Sequence, residues 1–335
     1  MDPRTGRARL VANGPDSQSA AVSGRRVTAA WLVWSSWTLT ALAVAFTLFF
    51  VSLNEMSAFG NTIPTSVLIL AFSTVGALVA SRRPGNRIGW LFCSGSLLWA
   101  LGELALEYAV YALITVPGSL PAASWAAWFG GWARGMGWFL IVVFLLLLFP
   151  TGRLPSASWR PVLWGGVGFI FLFTLASWLS PVSNDMRMTS VSNPLGLEGG
   201  IGLYLIEAVF LVLPPLILVS GAAGISRFRR ARGEERQQLK WFAYAVGVMA
   251  AVFVVWFSLA LAGFAPASVA MWTVPPAGLP VAVGIAILRH RLYDIDIIIN
   301  RTLVYGALTV MLVLVYFGGV VGLQYVFRVL AGGNS

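Results

Sequence analysis

Charge is what this sequence has least of. Of its 335 residues only 10% are Asp, Glu, Lys or Arg, against roughly 25% in a soluble globular domain, so most of the chain cannot be facing water. A single cysteine, Cys93, excludes an internal disulfide. A single histidine, His290, leaves no histidine cluster for a metal. The phosphate-cradling Gly-x-x-x-x-Gly-Lys-Ser/Thr loop is missing, and so are HExxH and Gly-x-Ser-x-Gly. P-loop nucleotide hydrolysis, zinc proteolysis and nucleophile-elbow hydrolysis are therefore unsupported. No internal repeat of the kind that marks secondary transporters is evident, and the charges within the apolar runs read as lying in their outer halves, away from the membrane midplane. The chain carries no recognisable soluble catalytic domain, and no cofactor or metal is expected.

What the sequence has in abundance is apolar residues, at 58%. A membrane helix needs about 20 of them in succession to cross about 30 Å of hydrocarbon. Such runs lie near 29–52, 62–81, 88–114, 124–149, 161–181, 201–225, 241–264, 268–288 and 303–327. The breaks between them are short and rich in Pro, Gly, Ser or Arg, as loops should be. The expected fold is an all-α integral membrane protein, a bundle of about nine transmembrane helices. Residues 29–330 form the membrane domain, and the expected place is the cell membrane.

Arginines decide the direction of threading, because Lys and Arg stay preferentially on the cytoplasmic side. With the N-terminus inside, Arg4, Arg7, Arg9, Arg25 and Arg26 are cytoplasmic. So are Arg82, Arg83 and Arg87, then Arg153 and Arg160. The basic run Arg227, Arg229, Arg230, Arg232, Arg236 and Lys240 follows, and then Arg289, Arg291 and Arg301. Of the 22 basic residues only Arg134, Arg187 and Arg328 fall elsewhere. The net charge of +10 is therefore a topology signal and not a nucleic-acid footprint. An odd number of spans leaves the C-terminal tail, 331–335, outside. Residues 1–28 read as a polar, basic cytoplasmic tail, disordered over 1–24. Trp125, Trp128 and Trp132 stand where the fourth run enters from outside, as an aromatic belt would.

Charges inside the apolar runs mark candidate sites, since each costs about 2.5–3.5 kcal/mol unless paired or wetted. Glu103 and Glu107, four residues apart, share one face of the third helix; Arg134 lies at comparable depth on the fourth, and Glu207 in the outer part of the sixth. The cluster reads first as an interfacial salt bridge that docks helices three and four. The sharper reading is an outward-facing pocket, with Arg134 neutralising one Glu and the other open to a ligand. Pro214-Pro215 in the sixth helix and Pro275-Pro276 in the eighth each remove backbone hydrogen bonds and are candidate hinges. Proline is also tolerated in membrane helices without such a role.

The segment 289–301 reads as a cytoplasmic interfacial helix. Arg289, Arg291 and Arg301 would meet anionic head groups, His290 would be a solvated neighbour, and Asp294 and Asp296 lack a third metal ligand. Glu234, Glu235, Arg236 and Lys240 stand at helical spacing, so the seventh helix should begin a turn or two before its apolar run. The outer loop 182–200 reads as a connector, with a cap over a pocket as the alternative.

Five phrases carry a resemblance: SRRPGNRIGWLF (81–92), LLLLFPTGRLPSASWRP (145–161), NPLGLEG (193–199), RRARGEERQQLKWFAYA (229–245) and VAVGIAILRHRLYDIDIIINRTLVYGALT (281–309). Together they resemble the N-terminal membrane region of sensor histidine kinases common in actinobacteria and chloroflexi. The resemblance implies a sensory membrane module, a homodimer, and a two-component partner in the form of a kinase or response regulator. It also implies a further span, a phosphoacceptor histidine and an ATP-binding domain, to which no residue here corresponds, so the chain reads as cut one helix short. The alternatives are a small-molecule permease and a membrane domain regulating another output such as a cyclase.

Overall fold

The computed structural model describes residues 15–54, 59–182, 186–188, 191–197, 201–261, 276 and 278–288. All belong to one unit, Met1–Arg289. The described residues form helices and turns, and their only bridge of β type pairs Val182 with Ser192. In chain order the helices are α1 (Pro15–Leu53), α2 (Phe59–Arg82), α3 (Arg87–Val110), α4 (Ala123–Leu148), α5 (Arg160–Leu179), α6 (Ile201–Arg230), α7 (Gly233–Leu261) and α8 (Gly278–Leu288). Among the described residues, six helices are long and apolar enough to cross a membrane: Thr28–Leu53, Thr62–Arg82, Arg87–Thr115, Ala123–Leu148, Ala157–Leu179 and Ile201–Arg230. They follow the first six expected runs closely.

Three helices outrun their apolar segments. α1 begins at Pro15, so residues 15–28, expected as tail, are helical. Pro15 takes a first helical position, where its missing N–H costs nothing, and Ser17, Gln18, Ala20 and Ala21 let the apolar helix propagate backward. α6 continues through its basic tail to Arg230. α7 begins at Gly233, with Glu234 and Glu235 in its first turn, where carboxylates favour the helix N-terminus. The eighth expected span is represented by α8, and the ninth lies outside the described residues.

Successive helices run up and down, so their connections gather at two ends. At one end lie the Trp125, Trp128 and Trp132 turns of α4; at the other lie the arginine-rich connections 83–86, 149–156 and 230–232. α3 and α4 form the most extensive pairing. Glycine makes it close: a Cβ on Gly102 would lie 2.4 Å from the Arg134 nitrogen, and one on Gly137 would lie 2.6 Å from the Trp99 nitrogen. Small residues that let backbones touch are the usual means of joining helices where apolar surroundings offer no hydrophobic drive.

Aromatic contacts fill what the glycines leave. Phe72 of α2 meets Phe92 of α3 edge-on at 4.9 Å, and Trp99 of α3 meets Trp138 of α4 at 5.0 Å. Phe139 of α4 contacts Phe169 and Phe173 of α5 at 5.0 and 4.9 Å. α8 inserts between α7 and α2, burying Val283, Ala286 and Ile287. α6 is the least covered of the six long apolar helices. The helix continues through Pro214 and Pro215, although neither can donate a backbone hydrogen bond.

Candidate functional sites at the two ends of the bundle

The close approach at Gly102 sets the first cluster. It puts the α4 backbone at Ala133–Arg134 beside α3, so Glu103 and Arg134 project from adjoining positions. Arg134 acts electrostatically on the Glu103 carboxylate, as do Arg187 and, with opposite sign, Glu107. One turn earlier on α3, Trp99 Nε1 donates to Glu103 Oε1 at 3.0 Å. Glu103 is thus held on its own helix as well as by its charged neighbours.

Glu107, one turn further on, is almost wholly buried. Arg187 Nη1 reaches its Oε1 at 2.7 Å, and Asn54 Nδ2 donates to its Oε2 at 2.9 Å and to its main-chain carbonyl at 3.2 Å. Asn54 follows α1 directly. Thr115 Oγ1 donates in turn to Asn54 Oδ1 at 3.0 Å. That hydroxyl is delivered by a π-helical turn, Tyr111–Thr115, which widens the end of α3. Both carboxylate oxygens of Glu107 are therefore occupied. The arrangement is a clamp joining α1, α3 and the α5–α6 loop.

That loop is docked over the helix ends. Asn193 Nδ2 donates to the carbonyls of Ser180 (2.6 Å), Trp178 (3.0 Å) and Ser177 (3.3 Å), satisfying the carbonyls that α5 leaves open at its C-terminus. Leu197 N–H returns to the Leu179 carbonyl at 3.1 Å, and Met188 is fully buried. A connector was the simpler sequence reading, but the loop also supplies the cation that the buried carboxylate needs. Of the three tryptophans expected as a belt, Trp125 is exposed, whereas Trp128 and Trp132 turn toward Trp178 of α5 at 5.7 and 6.0 Å.

The remaining expected residues lie apart from this cluster. Glu207 is on an exposed face of α6 and makes no contact with the cluster among the described residues. Pro214 and Pro215 are inside α6, and Pro276 is buried. Pro275 and the interfacial segment with Arg289, His290, Arg291, Asp294, Asp296 and Arg301 lie outside the described residues.

The second candidate site is at the opposite end, where sequence reasoning saw only topology signals. Here the connections after α2, α4 and α6 meet around a cavity of about 700 Å³, lined by Arg83, Asn86, Arg153, Arg227, Arg230 and Gln238 among others. Asn86 caps α3 by accepting from Ile88 N–H at 3.0 Å, while its Nδ2 donates to the Pro150 carbonyl at 3.1 Å. The Phe149–Pro150 peptide is cis, and Gly152 takes a φ of 72°, a conformation that side-chain-bearing residues rarely adopt. A Cβ there would also stand 2.7 Å from the Arg87 nitrogen.

Arg227 fixes the floor of the cavity. Its buried guanidinium donates to the carbonyls of Leu148 (3.3 Å), Phe149 and Arg153, and faces Glu235 of α7 at 3.8 Å. Phe149 stacks on Phe242 of α7 at 4.4 Å, which ties the same turn to a third helix. A planar fork of donors is the side chain suited to gathering several carbonyls at once. Compared with known proteins, the chain matches no family model, no curated protein and no solved structure.

Proposed function

We propose that the chain is an integral membrane sensor or input module of nine spans, of the type that precedes the kinase in bacterial sensor histidine kinases. In this reading the N-terminus and the arginine-rich cavity face the cytoplasm, and the tryptophan end with its docked loop faces outside. The charge distribution along the sequence supports that orientation. A homodimer and a kinase or response-regulator partner are the associations it implies.

One observation carries the reading. Four of the five phrases that resemble the sensor kinases, far apart in sequence, contribute residues to one cavity: Arg83 and Asn86, Thr151 and Arg153, Arg230 and Gln238, and Ile287. The fifth supplies Asn193, which fastens the loop at the other end. The described parts of these phrases thus contribute to both ends of the bundle, which the tightly packed α3–α4 pair joins, as a device relaying a condition from one face to the other requires.

The test uses the full chain with its single cysteine removed (Cys93→Ser) and a reporter cysteine at Thr151→Cys beside the cavity. A relay requires Arg187→Ala at the far end to change the maleimide labelling rate at position 151 by about fivefold or more, the low end of ordinary coupling between sites. Unchanged labelling in a folded protein would remove the relay. Dissipation of an imposed ion gradient in proteoliposomes would return the chain to the permeases.

A further inference from the structure

We propose that the arginine-rich cavity is a binding site for a phosphate-bearing anion. Four arginines line it, Arg83, Arg153, Arg227 and Arg230, against one carboxylate, Glu235. Arg227 is committed to main-chain carbonyls and to Glu235. Arg83, Arg153 and Arg230 are exposed at the rim, and among the described residues no carboxylate pairs with them.

Three arginines brought to one cavity from three separate connections exceed what retention in the cytoplasm requires, since that needs charge in a loop but no shared site. Gln238 supplies an independent sign. Its side chain is about nine-tenths buried and lines the cavity, beside the three exposed arginines. An amide at that position can donate to an oxyanion in the cavity. Arginine forks match phosphate oxygens in pairs, and the amide adds a neutral donor. A volume of about 700 Å³ is larger than one inorganic phosphate needs. It suits a head group or a soluble diphosphate, within the usual range of ligand sites. The position at the ends of the apolar helices is also where anionic head groups meet basic pockets. The site stands on its own geometry, so it can hold even if the relay between the two ends fails.

The experiment measures thermal stability of the full chain by its tryptophan fluorescence in two arms. One arm adds phosphatidylglycerol to phosphatidylcholine nanodiscs; the other adds inorganic pyrophosphate at matched ionic strength. A saturable rise in Tm is expected in at least one arm. Arg83→Gln and Arg230→Gln should each weaken the apparent affinity roughly tenfold, as loss of a charge-assisted contact does. Arg82→Gln and Arg232→Gln, outside the cavity lining, should leave it unchanged. A response to lipid alone identifies a head-group site, and a response to pyrophosphate identifies a site for soluble anions. No response in either arm, or equal weakening by all four substitutions, would overturn the proposal.

Discussion

Arg187 and Glu107 are 80 residues apart in sequence, yet they meet at 2.7 Å, with the carboxylate almost fully buried and the guanidinium partly open to the surface. The pair is asymmetric, and its two halves should fail differently. Arg187→Ala strands a buried carboxylate and should destabilise the protein by about 3 kcal/mol. Glu107→Gln keeps the shape and the Asn54 contact, and leaves a cation that can turn outward, so its cost should be smaller. Melting curves of both variants and of the double variant check this. The double loss should be less than the sum of the single ones.

Part of this site was legible before the fold was known. Glu103, Glu107 and Arg134 stood out because each is a charge in an apolar run, and Arg187 stood out as an exception to the charge asymmetry. Their partners were not legible. Helical spacing gives the face of α3 that holds Glu103 and Glu107, but not how a loop folds back on it. Asn54 and Thr115 gave no signal beyond their polarity. The span limits were read well where apolar residues end in a turn, as for α4 and α5. They were read short for α1 and α6, because hydropathy reports solvent preference while helical hydrogen bonding continues through Ser, Gln and Arg; the early start of α7 was legible in Glu234, Glu235, Arg236 and Lys240 at helical spacing. The arginines of the cavity were visible as topology markers, and only the meeting of three connections makes them a site.

The α3–α4 contact gives a second test. Gly102→Ala places a methyl group against the Arg134 backbone and should cost about 1–3 kcal/mol by forcing the helices apart. Gly221→Ala, on α6, meets nothing within 4 Å. It should be neutral or stabilising by about 0.5–1 kcal/mol, because alanine favours the helix. Equal effects at both positions would mean that close approach does not decide the first.

At the arginine-rich end, Arg227→Lys should not rescue Arg227→Ala. One ammonium cannot span the three carbonyls of Leu148, Phe149 and Arg153 that the guanidinium gathers. Both variants should lose about 2–3 kcal/mol, because buried acceptors are left unpaired. The turn at 149–153 should then become a site of limited proteolysis. A lysine variant with native stability and native proteolysis would show that charge alone holds the turn.

Cysteine labelling in a Cys93→Ser background decides most directly whether the two ends face opposite sides of a membrane. Thr151→Cys and Ser192→Cys, both at exposed positions, are each treated with a membrane-impermeant maleimide in intact cells and after permeabilisation. The expected result is labelling of position 192 in intact cells, and of position 151 only once the membrane is opened. Labelling of both positions in intact cells, or the reverse pattern, would contradict the arrangement on which the sensor reading and the cytoplasmic placement of the cavity depend.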